Sequence, residues 1–134
     1  MVLEMDVWFI VNPILRVFLY AASFLSVGVF LFSLHFSKHL TVLQKSYCDH
    51  LAYKTASVGS VISLLMFFSV AGNLGGDIAS VTEPLMLQLA LESKSGVGFL
   101  TAFTSFMSML MAHRLRGHAN RLGLLVSSTA LLLL

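Results

Sequence analysis

Charge is scarce in this chain. Of its 134 residues only 10% are Asp, Glu, Lys or Arg, while 57% are apolar. Soluble domains carry about 25% charged residues, so the polar surface needed to face water is missing, and the mean hydropathy of +0.90 agrees. Cysteine is scarcer still. Cys48 stands alone, which excludes an internal disulfide framework and any CxxC pair for redox or zinc chemistry. The net charge of +2 is too small to draw the chain to nucleic acid. No nucleophile elbow, HExxH, Walker or GxGxxG pattern occurs, and with them go the usual routes to hydrolysis or nucleotide chemistry. A secretory signal is lacking too: residues 1–6 are acidic where a signal would be basic, and no A-x-A site follows the first apolar run. That run is therefore expected to remain as a helix.

What is present is a series of long apolar runs, and an all-α integral membrane bundle of about four spanning helices is expected. A span needs roughly 20 apolar residues. The spacing predicts helices over residues 13–34, 55–74, 96–112 and 122–134, in one transmembrane domain. Asn12 and Pro13 suit the N-cap and first position of the first helix, because the missing proline N–H would have no partner there. The interval from Pro13 to Leu34 then covers about 33 Å at 1.5 Å per residue. Residues 7–10 would lie at the interface favoured by Trp8. The second helix should stop in the glycine-bearing stretch 73–77. The piece Pro84–Leu91 is too short to span and reads as a short helix on the membrane surface. The fourth run, 122–134, ends before a full span is reached, so a truncated last helix is expected.

Basic residues are distributed unevenly between the predicted connections. The first holds Lys38, Lys45 and Lys54, and the third holds Arg114, Arg116 and Arg121. The second has Lys94 alone among Asp77, Glu83 and Glu92. Lys and Arg gather in cytoplasmic loops, which predicts an N-terminus outside. Arg16, in the first helix, should either snorkel to the interface or pair with Asp77 or Glu83. Small residues four apart (Ala22 and Ser26, Ala56 and Ser60, Gly72 and Gly76, Gly123 and Ser127), with the stripe Thr101, Ser105, Ser108 and Ala112, predict close helix packing and hydrogen bonds between helices.

Metal-ligating side chains form two groups. All five histidines (His35, His39, His50, His113 and His118) fall in or beside the predicted cytoplasmic connections. A continued first helix would bring His35 and His39 to one face, with Cys48 and His50 as further ligands. The plainer reading is a set of solvated histidines in basic loops. Met107 and Met111 are likewise four apart, and Met66 lies mid-helix. Thioethers favour Cu(I), a soft ion, although methionine is also a common filler of irregular packing. His35 and His113, at helix ends on the same side, leave a b-type haem carrier open as a second reading. A ligand-free helical subunit is the third.

The stretch LRVFLYAASFLSVGVF (15–30) resembles the first helix of the copper resistance protein D (CopD) family, with its basic or polar start, an aromatic one turn later and a glycine before an apolar exit. LALESKSGVGF (89–99) is similar to that family's approach to a later helix, and the short Arg-rich connection before Leu122 fits as well. The resemblance implies a multi-pass protein of the bacterial inner membrane that serves copper transport or tolerance and is not an enzyme. The copper ion would be held by Met66, Met107 and Met111 inside the membrane and by His35, His39 and His113 at the cytoplasmic face. The lipid bilayer, a periplasmic copper-binding partner and further copies of the chain are the partners implied, with no role for nucleic acid. A Gly-His-Ala-like element that family members carry beyond the helix matching 122–134 has no counterpart at that position. Gly117, His118 and Ala119 have the same letters ahead of it, and no role is carried over to them.

Overall fold

The computed structural model describes residues 2–76 and 78–114, with side chains from residue 8 onward. Within them the chain is almost wholly helical: α1 (Val2–His35), α2 (Val42–Gly75), a 3₁₀ turn (Ile78–Thr82), α3 (Pro84–Glu92) and α4 (Lys94–Arg114). Three of these, α1, α2 and α4, are long and apolar enough to cross a membrane. The expected all-α membrane bundle is thus present, with three spans among the described residues. The expected fourth helix, 122–134, lies outside them.

α2 is the centre of the bundle. α1 and α4 each pack along its length and touch one another sparsely. The reason is the width of its small-residue face, where Ala56, Gly59, Ser60, Ser63, Ala71 and Gly72 are all buried. Lipid gives no hydrophobic incentive for helices to associate, so close van der Waals packing must hold them, and small residues permit it. The main core joins Leu19, Ala22, Val27 and Phe30 of α1 to Ala56 and Met66 of α2 and to Ala102, Phe106 and Met109 of α4. At Gly59 the approach is closest: a Cβ there would land on the ring of Phe106, which has no exposed surface.

Five buried or half-buried serine hydroxyls turn back onto their own helices, where bonds between helices were expected. Those of Ser26, Ser60, Ser63, Ser69 and Ser105 donate to carbonyls three or four residues back in their own helices. The α4 stripe is also placed differently. Ser105 is buried, but Thr101 and Ser108 are exposed, and the face on α2 is Ala102, Ser105, Phe106 and Met109.

Both long helices begin earlier than their apolar runs. α1 runs straight through Pro13 from Val2, although an interior proline forfeits the bond to the carbonyl four residues back and costs about 3 kcal/mol. Tertiary packing offsets this, since the indole of Trp8 lies against Gly72, where a Cβ would sit 2.6 Å from it. Asn12, the expected cap, is instead mid-helix, with its Oδ1 buried and unpartnered among the described residues. α2 starts at Val42, 13 residues before the expected 55. A capping box explains the start: the Thr41 N–H donates to Gln44 Oε1 at 3.0 Å, and the Gln44 N–H donates to the Thr41 hydroxyl at 3.4 Å. Lys45 and Lys54 therefore stand on a helix, and the true connection is only 36–41. The far end of α2 stops as the glycines predicted. Gly76 adopts φ +77° and its N–H donates to the Gly72 carbonyl at 2.9 Å. Proline does open α3, and Ala90, Met86 and Leu87 seat that short helix in a second core with Phe67 and Ala71. α4 spans 94–114, two residues beyond the expected 96–112 at each end.

Candidate functional site

Because α1 and α4 flank α2 without closing on each other, the bundle opens at the end where α1 finishes and α2 starts. A cavity of about 270 Å³ lies there, lined by Phe30 and Leu34 of α1, Cys48 and Asp49 of α2, and Met109 and His113 of α4. Two helix periodicities create this lining. On α4, Met109 and His113 are one turn apart and continue the inward face of Ala102 and Phe106. On α2, the turns added by the capping box carry Cys48 and Asp49 past the apolar core to the rim. The ring of His113 lies 6.0 Å from that of Tyr53, centroid to centroid, tying α4 to α2 beside the opening.

Chemically the lining offers a thiol, a thioether, an imidazole and a carboxylate around one space. Among the described residues, no three His, Cys, Asp or Glu side chains stand close enough to hold a metal, so the described lining does not by itself supply the ligand set of a tetrahedral zinc site. Sulfur and imidazole donors in small number suit a soft, low-coordinate ion such as Cu(I).

The residues singled out from the sequence separate into three groups. Met66 is buried in the main core, 1% exposed, in the same cluster as Met109. Met107 and Met111 do not join it. They are 40% and 61% exposed on the outer face of α4, because at 100° per residue positions 107 and 111 point away from the 102–106–109 face. His35 is the last residue of α1 and exposed, its ring edge-on to Phe36 at 5.0 Å. His39 is exposed in the turn that follows, its N–H donating to the Phe36 carbonyl at 2.9 Å. With α1 ending at His35, the two histidines do not share a helix face. Among the described histidines His113 alone lines the cavity, so His35 and His113 do not face each other across it as haem ligands would. His50 is exposed on the outer side of α2 beside Tyr47 and Lys54. His118 lies outside the described residues.

Met109 as an inward donor is what the sequence reading missed. Its four-residue interval to His113 was as visible as that from Met107 to Met111, but only the packing tells which of the two faces looks inward.

No curated protein and no solved structure matches the chain. The family model of the copper resistance protein D-like N-terminal domain matches residues 5–134, which is nearly the whole sequence. The chain therefore belongs to the copper resistance protein D-like family of membrane proteins.

Proposed function

We propose that the protein passes copper ions across a bacterial inner membrane, in copper transport or tolerance, without enzymatic turnover. The match to the copper resistance family over residues 5–134 carries this reading. Two features of the bundle support it. Three apolar helices suited to a bilayer are packed together, and the soft donors Met66 and Met109 share the core below a cavity that also presents Cys48 and His113. Copper is cargo here, and those four side chains are the proposed stations, with Met107, Met111, His35 and His39 outside the path.

Among the described residues Lys38, Lys45, Lys54 and Arg114 gather at the cavity end with the single acid Asp49, whereas Arg16 and Lys94 lie at the other with Glu83 and Glu92. By the bias of basic residues toward the cytoplasm, the cavity faces the cytoplasm and the N-terminus faces outward. A periplasmic copper-binding partner would then deliver the ion to the opposite end, and assembly of several copies would complete the path.

Copper accumulation by cells carrying Met109→Leu with Cys48→Ser is expected to fall about tenfold or more, the scale on which metal sites respond to loss of their support. Met107→Leu with Met111→Leu should leave it near wild type. Equal accumulation in the two variants would remove the inner path, and copper sensitivity unaltered by loss of the whole chain would remove the function. Orientation has a separate check. A cysteine placed at Lys38 in a Cys48→Ser background should react with an impermeant maleimide only after the cells are opened.

A further inference from the structure

At the end opposite the soft-donor cavity, the same gap between α1 and α4 forms a second groove of about 240 Å³. Arg16 and Tyr20 of α1 line one wall, Lys94 and Ser95 of α4 the other, and Leu19 and Phe99 lie deeper. Both cations are exposed, and neither has an ion pair among the described residues. Lys94 is the first residue of α4, and the positive end of that helix is offset by the C-terminus of α3 and the Glu92 carboxylate just before it. Two like charges from different helices nonetheless converge on one groove. An anion between them would relieve their repulsion.

Depth points to its source. α4 has 21 residues, about 31 Å at 1.5 Å per residue, which matches the hydrocarbon thickness of a bilayer. Lys94 and Arg114 therefore mark opposite borders between acyl chains and headgroups. Arg16 shares the groove of Lys94 and stands at the same border. A lipid phosphate lies at that level, and the apolar Leu19 and Phe99 below it suit an acyl chain.

We propose that this α1–α4 groove is a binding site for an anionic phospholipid, its headgroup phosphate held between Arg16 and Lys94 with the Tyr20 and Ser95 hydroxyls in reach, and one acyl chain lying over Leu19 and Phe99. The bound lipid closes the gap that α1 and α4 leave on this side of α2. The site stands independently of the copper reading, since none of its residues lines the other cavity.

The test is titration of the purified, delipidated full chain in a neutral detergent with dioleoylphosphatidylglycerol and with dioleoylphosphatidylcholine, read by native mass spectrometry. Each basic side chain near a membrane surface strengthens anionic lipid binding by roughly fivefold, so phosphatidylglycerol should bind roughly 25-fold more tightly than phosphatidylcholine. Arg16→Gln with Lys94→Gln should abolish that preference, and Arg16→Lys with Lys94→Arg should keep most of it. Helical circular dichroism checks that each variant folds. Equal binding of the two lipids to the wild-type chain overturns the proposal whether or not the variants fold, and so does a preference that survives in the glutamine variant. Inorganic phosphate forms a third arm. If it competes with phosphatidylglycerol at comparable concentration, the groove is a simple anion site and the lipid assignment fails.

Discussion

The two ends of the bundle are packed on different terms. Where α2 stops and α4 starts, glycines bring backbone against neighbour. A Cβ at Gly72 would strike Trp8, one at Gly75 would strike Ser80, and one at Gly96 would strike the Ala90 carbonyl. At the other end α1, α2 and α4 diverge around a cavity whose lining includes Cys48, Asp49 and His113. Both ends belong to one set of continuous helices, so secondary structure is not what separates them. The fit between neighbours is. Small residues let the backbones meet beside α2 at the first end and in the middle, with a groove left between α1 and α4. At the second end the small Cys48 and Ala52 of α2 face a space that neither α1 nor α4 fills. The proposed copper path would use both conditions: a closely fitted frame that holds side chains in register, and a place where the candidate donors are not filled in by packing.

Substitutions at glycine break this comparison most sharply. Gly96→Ala should have the largest effect, because its new methyl meets a backbone carbonyl that no rotamer change can move. A loss of about 3 kcal/mol is expected, at the upper end for overpacking, read as a fall in the denaturant midpoint of the detergent-solubilised protein. Gly59→Ala comes next at about 2 kcal/mol, since the buried Phe106 ring has little room to yield. Phe106→Leu in the same chain should recover part of that loss, and a double-mutant cycle with no coupling would show that the two residues do not meet. At the open end the effect shrinks. Thr41→Ala removes half of the capping box and should cost about 1 kcal/mol, with fraying of residues 42–54 visible in amide exchange. The smallest change is expected at Gly28, which has nothing within 4 Å of its would-be Cβ. Gly28→Ala should be neutral or stabilise by up to about 1 kcal/mol through helix propensity. A large loss there would mean that this face of α1 is packed against a partner.

Much of the fold was legible because lipid imposes simple rules. Backbone polar groups must be satisfied within each span, so an apolar run long enough to cross becomes a helix, and its glycine stop at Gly76 and proline start at Pro84 appear where those residues predict them. The helix starts were less legible. Asn12 and Pro13 have the local chemistry of a start, yet Trp8 packing on Gly72 draws the helix back to Val2. The segment 42–54 is too polar to read as part of a span, but the stripe of Leu43, Tyr47 and Leu51 and the T-x-x-Q spacing of Thr41 and Gln44 were local signs of a helix that hydropathy passed over. The candidate site was legible as a set of residue types, with Met, His and Cys in small number and no charged ligand cluster.

By itself the sequence determined the solvent, the helical class, the three described spans and the asymmetry of charge between the two ends, because each follows from residue type and run length along one chain. Only the tertiary structure decided which donors meet. Met107 and Met111 repeat at helical spacing as well as Met109 and His113 do, and nothing local separates the two pairs. The choice lies in how α4 is rotated against α2, and that rotation is set by the fit of Phe106 over Gly59, a contact between residues 47 positions apart in the chain.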